Sequence, residues 1–168
     1  MAQAALRSAY LGAAIFAGAA VVATLLALWH VKYLEKLVQS FEGWLTLLVF
    51  CLAAVLATTL SFALFNWIEW RLTRGPLVLR ALLFGPFVTV VSHLIYGFFY
   101  LPLFEALPGA GLNLGWRGTF EFAVIFGFQT LPYSIQITLP VGIVAALLFE
   151  CLERRLASHT GDQAKAAE

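Results

Sequence analysis

The chain has 168 residues, 62% of them hydrophobic and only 11% charged, with a formal net charge of +1 and a mean hydropathy of +0.90. A soluble domain carries roughly 25% charged residues, so this composition excludes an ordinary water-soluble fold and makes lipid the solvent for most of the chain. Without clustered Lys or Arg to neutralise phosphates, it also argues against nucleic acid as a partner.

The first apolar run extends from Ser8 to Trp29. About 20 apolar residues cross the hydrocarbon core, and backbone groups there must bond within their own segment, so the run reads as a transmembrane helix. Preceded by one basic residue and lacking a small-residue cleavage site, it reads as a retained helix and not a signal peptide. Its small residues, notably Gly12 and the Ala14–x–x–x–Gly18 pair, allow close approach of another helix or a second copy.

Next comes "HVKYLEKLVQSFEG", in which Val31, Leu34, Leu37, Val38 and Phe41 recur at helical spacing among Lys32, Glu35, Lys36, Gln39 and Glu42. This pattern predicts an amphipathic helix lying in the outer interface. The second span covers Trp44 to Trp67 and the third Leu77 to Leu101, with Trp29, Trp44, Trp67 and Trp70 at the span ends, where indole rings favour the interface. Pro102 to Gly118, rich in Gly and Pro, is expected to be a non-helical outer loop.

The last apolar region, Thr119 to Leu152, is too long for one perpendicular span and carries Pro132 and Pro140. Either this helix is buried among several others, or Thr119 to Leu131 is re-entrant or interfacial and the true span begins near Pro132. The expected organisation is one transmembrane domain over residues 1–157 and a disordered polar cytoplasmic tail over 158–168.

Basic residues set the orientation. Arg7, Arg71, Arg74, Arg80, Arg154, Arg155 and Lys165 fall on one side, against Lys32, Lys36 and Arg117 on the other. The fold class is therefore an all-α integral membrane protein with four transmembrane helices, cytoplasmic N and C termini, an outer interfacial amphipathic helix and a Pro-broken last helix. The charge asymmetry fits a cytoplasmic-type inner membrane, bacterial or organellar, and the lack of a targeting peptide favours the bacterial cytoplasmic (inner) membrane.

The chemistry lies inside the spans. Thr89, His93, Tyr96 and Tyr100 recur at intervals of four, three and four, forming one polar stripe on the third helix. On the last helix Gln129, Tyr133 and Gln136 share one arc, and Thr130, Ser134 and Thr138 a second. A polar stripe in lipid turns towards another helix or a cavity. It serves either as interhelical hydrogen bonding or as a polar path, whose lining would be Thr89, His93, Tyr96 and Tyr100 with Gln129, Tyr133 and Gln136. Arg117 and Glu121, four residues apart where the last helix enters the membrane, form a candidate interfacial ion pair. Glu150 is read as sitting near the cytoplasmic exit, within reach of water.

Enzyme signatures are lacking: no phosphate-cradling Gly-rich loop, no Gly–x–Ser–x–Gly elbow, no His–Glu–x–x–His, and a single aspartate, Asp162, outside the spans. The three histidines, His30, His93 and His159, differ in depth, so no pair can ligate a haem, and no metal or cofactor is expected. Cys51 and Cys151 lie at opposite depths and read as small buried apolar residues. Two functions fit: a non-catalytic subunit packed against other membrane proteins in a complex, or a small homo-oligomeric transporter or channel. The partners are the lipid bilayer and other membrane proteins or copies of the chain itself.

Overall fold

A computed structural model describes residues 2–69, 77–107 and 114–166. Four long helices dominate it: α1 (Ala2–His30), α3 (Phe41–Glu69), α4 (Leu77–Glu105) and α5 (Gly115–Ala166), with a one-turn helix α2 (Leu34–Leu37) between the first two. Each long helix contains a stretch apolar and long enough to cross a bilayer: Ser8–His30, Phe41–Asn66, Leu77–Glu105 and Gly115–Leu156. No strand occurs among the described residues.

The bundle follows from helix lengths and short connections. α1 packs on α3 and α5, and α4 packs on the same two, so the long helices form a closed four-sided bundle. Ser8 Oγ donates a 2.7 Å hydrogen bond to Glu153 Oε1, tying the start of α1 to the last part of α5. Chain reversal after α1 relies on Lys32, which adopts φ 55°. Ser40 then caps α3 by accepting a 3.0 Å hydrogen bond from the Gly43 amide.

Three expectations change here. The amphipathic pattern from His30 to Gly43 yields only the four-residue α2, with Leu37 buried and Val31, Tyr33, Val38 and Phe41 exposed. The expected outer loop is narrower, because α4 runs through Pro102 to Glu105 and α5 starts at Gly115. Arg71, Arg74, Trp70 and Pro108 to Asn113 lie outside the described residues. The last helix is also continuous, with Pro132 and Pro140 inside it.

Those prolines coincide with a bow. Glycines let α4 and α5 touch backbone to backbone: a Cβ at Gly97 would collide with the Ala123 carbonyl, and one at Gly85 with Gly142 and Ile143. From Gly85 to Gly97, α4 advances twelve residues, about 18 Å; from Ala123 to Gly142, α5 advances nineteen, about 28 Å. Both segments join the same two contact regions, so α5 arches away from α4 between them. Each proline removes one helical donor, which makes that arch cheap.

Two apolar clusters fill the bundle. One phenylalanine from each long helix meets at the end carrying the termini: Phe16 lies 5.3 Å from Phe62 and 5.1 Å from Phe84, and Phe149 lies 5.5 Å from Phe62 by ring centroid. All four are almost fully buried. At the other end Tyr100 stacks on Phe50 and Phe126, each at 4.9 Å, above Val49 and Ala53.

Candidate functional site

Between the two aromatic clusters lies a partly open cavity of about 170 Å³. All four long helices wall it. α1 contributes Ala19, Ala20 and Ala23, and α3 contributes Ala54, Ala57 and Thr58. The alanines keep the space open, because longer side chains at those positions would fill it. Phe16 and Val88 bound one end, Phe50 and Tyr96 the other. On the α4 and α5 side the wall turns polar, with Thr89, Ser92 and His93 facing Thr130, Ser134 and Thr138 inside the arch of α5.

His93 is the centre of that wall. Its Nδ1 lies 2.8 Å from the Thr89 carbonyl and its Nε2 2.6 Å from Ser134 Oγ. A carbonyl only accepts, so Nδ1 carries the proton, and in the neutral ring Nε2 is an acceptor. The Ser134 hydroxyl then has two acceptors within reach, His93 Nε2 and the Thr130 carbonyl at 2.7 Å. This ties α4 to α5 where α5 bows outward.

Three other hydroxyls give their protons to their own helices. Thr24 donates to Ala20, Ser92 to Thr89 and Thr130 to Gly127, each through a backbone carbonyl. The Thr138 hydroxyl has no partner among the described residues. Thr89 is 6% exposed, and its hydroxyl rests against Gly142, where a Cβ would collide with it. Neither Thr89 nor Thr58 forms a side-chain hydrogen bond with a described residue.

Of the seven residues singled out for a polar path, Thr89, His93 and Tyr96 line the cavity. Tyr100 does not, since its ring is stacked between Phe50 and Phe126. The Tyr96 hydroxyl reaches the Phe50 carbonyl at 3.5 Å, the long limit of a hydrogen bond. Gln129, Tyr133 and Gln136 are not brought to the stripe; all three are exposed on the outside of α5, Tyr133 at 73%. The arc that turns inward is Thr130, Ser134 and Thr138. Its signal was present in the chain, because Gly127 and Gly142 share that side of the helix, and small residues mark the face that packs closely.

Arg117 Nε and Glu121 Oε1 pair at 2.8 Å on the exposed start of α5. Glu150, expected within reach of water, is instead 0% exposed, with Oε1 3.3 Å from Arg80 Nη2. Nothing local could have indicated this pair, which joins residues seventy positions apart. Cys51 and Cys151 are free thiols, but neither is buried as expected: Cys51 is half-buried and Cys151 exposed. Among the described residues no group of three His, Cys, Asp or Glu is placed to hold a metal.

A closed bundle of four apolar helices with a central cavity is the architecture of a polytopic membrane protein. Comparison with protein-family models, curated proteins and solved structures gives no match.

Proposed function

We propose that this chain is a non-catalytic subunit of a membrane-protein complex, and that the outer face of α5 is where it meets its partner. One observation carries this reading: Gln129, Tyr133 and Gln136 are exposed on the outside of α5 at the depth of His93, which stands near the middle of α4. Neither glutamine bonds to another described residue. Transfer of an amide from water to hydrocarbon costs about 4–8 kcal/mol when it finds no hydrogen-bond partner. Two such amides at mid-depth are therefore expensive facing lipid alone.

Pro132 and Pro140 add to this face. Lacking an N–H, they deprive the carbonyls of Phe128 and Gln136 of their helical donor, and both residues are exposed on the same side. The stripe thus offers amide donors and unpaired acceptors together, the chemistry with which a transmembrane helix bearing polar side chains associates. In this reading the membrane is a bacterial cytoplasmic membrane and both termini face the cytoplasm, as the basic residues favour. The exposed apolar residues around α2, among them Val31, Tyr33 and Phe41, rest in the outer interface.

The alternative, a small homo-oligomeric transporter or channel, draws on the cavity beside His93. Against it, the four-phenylalanine cluster and the Phe50–Tyr100–Phe126 stack lie across the bundle on either side of that cavity.

Site-specific photocrosslinking in native membranes tests the proposal. Crosslinkers replacing Gln129, Tyr133 or Gln136 should capture a polypeptide, whereas crosslinkers at the exposed Leu56, Leu60 and Leu64 of α3 should capture lipid. Lipid adducts alone at both faces would sink the docking assignment. His93→Leu should leave the crosslinked complex intact; loss of a measured solute flux in that variant would favour the transporter instead.

A further inference from the structure

We infer that the cavity between α1, α3, α4 and α5 is a binding site for a ring-sized apolar molecule, or the ring of a lipid, bearing a carbonyl or hydroxyl oxygen. This does not depend on the docking face of α5, which points the other way.

Size is the first argument. Enclosed cavities near 150 Å³ with apolar walls stay dry and accept benzene, and this one, partly open to the surroundings, measures about 170 Å³. Five liquid-water volumes, at about 30 Å³ each, would fit by volume. Water, however, needs two to four polar partners per molecule, and the walls on the α1 and α3 side are mainly alanine, with Phe16 and Phe50 at the ends. The polar atoms are confined to the α4 and α5 wall and to Thr24 and Thr58. Thr24, Ser92 and Thr130 already give their protons to carbonyls, and Ser134 shares its own between His93 and Thr130.

Chemistry is the second. Thr89 lines the cavity, its residue is 6% exposed, and its hydroxyl has no hydrogen-bond partner among the described residues; the Thr138 hydroxyl on the same polar wall is fully buried with none either. A hydroxyl left unpaired against an apolar cavity, with a second one buried nearby, is a cost that a native structure ordinarily avoids. An apolar ligand with one oxygen against Thr89 satisfies that hydroxyl, while its body occupies the alanine-walled space opposite. Thr58, across the cavity, supplies a second unengaged hydroxyl for a ligand with an oxygen at its far end.

The test uses the full chain in nanodiscs of a synthetic phosphatidylcholine, with 4-fluorophenol followed by fluorine NMR. Expected is a saturable bound resonance, distinct from the lipid-dissolved one, at one site per chain. Thr89→Val, which keeps the shape and removes the hydroxyl, should weaken binding about five-fold, the worth of one ordinary hydrogen bond. Ala23→Leu and Ala54→Leu, from the neighbouring helices α1 and α3, should each abolish the bound resonance while retaining a cooperative unfolding transition; two variants guard against one failing to fold. No saturable resonance, or one unchanged in the folded filled-cavity variants, overturns the inference. Solvent extraction of protein purified from its native membrane then separates the sources. One ring-bearing lipid per chain, lost in Ala23→Leu, identifies a lipid; 4-fluorophenol binding without such a lipid identifies a free small molecule. Either result supports the site.

Discussion

The Arg80–Glu150 pair gives the sharpest energetic prediction. Glu150 is 0% exposed and Arg80 24% exposed, with 3.3 Å between the charged atoms. At an effective dielectric of about 20, charges at that separation attract by about 5 kcal/mol. Deleting one partner of a buried pair costs about 3–5 kcal/mol, because the other is left buried and uncompensated. The two deletions should not be equal. Arg80→Met takes the cation away from a fully buried carboxylate and belongs at the upper end; Glu150→Gln leaves a guanidinium that still reaches solvent or headgroups, and belongs at the lower end. The double variant should be more stable than Arg80→Met alone, a non-additivity expected of contacting residues. Equilibrium unfolding in mixed micelles, titrated with SDS and followed by tryptophan fluorescence, measures all three. As an internal control, Glu121→Gln breaks the exposed Arg117–Glu121 pair and should change stability by less than about 0.5 kcal/mol. If Arg80→Met and Glu150→Gln both fall within about 1 kcal/mol of the parent chain, the reasoning from burial is wrong.

Two further substitutions probe the packing. Gly97→Ala should be strongly destabilising, since its Cβ would meet the Ala123 carbonyl, whereas Gly18→Ala, with nothing within 4 Å, should be neutral or stabilising by up to about 1 kcal/mol through helix propensity; the same SDS titration compares them, and equal effects would discount the α4–α5 seam. Phe84→Ala empties the centre of the cluster formed by Phe16, Phe62, Phe65 and Phe149 and should cost about 3–5 kcal/mol, read as a lower midpoint in thermal unfolding.

What the sequence determined by itself is local. Runs of apolar residues long enough to cross hydrocarbon specify helices, because no other single segment can satisfy its own backbone there. Spacing along one helix placed Thr89 and His93 on a common face, and the four-residue interval joined Arg117 to Glu121. The expected amphipathic helix reduced to α2 because the chain turns at Lys32 and again before the Ser40 cap, so the apolar spacing never becomes one continuous helix.

What only the tertiary structure decided is rotation and distance. α5 carries polar residues on both sides, and in lipid the contrast between apolar inside and polar outside that orients a soluble helix is missing. The choice was made by shape: Gly127 and Gly142 let α5 approach the backbone of α4 on one side only. That turned Thr130, Ser134 and Thr138 towards the cavity and left Gln129, Tyr133 and Gln136 facing out. By the same token, Glu150 found Arg80 across the bundle because the register of two antiparallel helices is fixed by contacts along their whole length, which no single stretch of sequence contains.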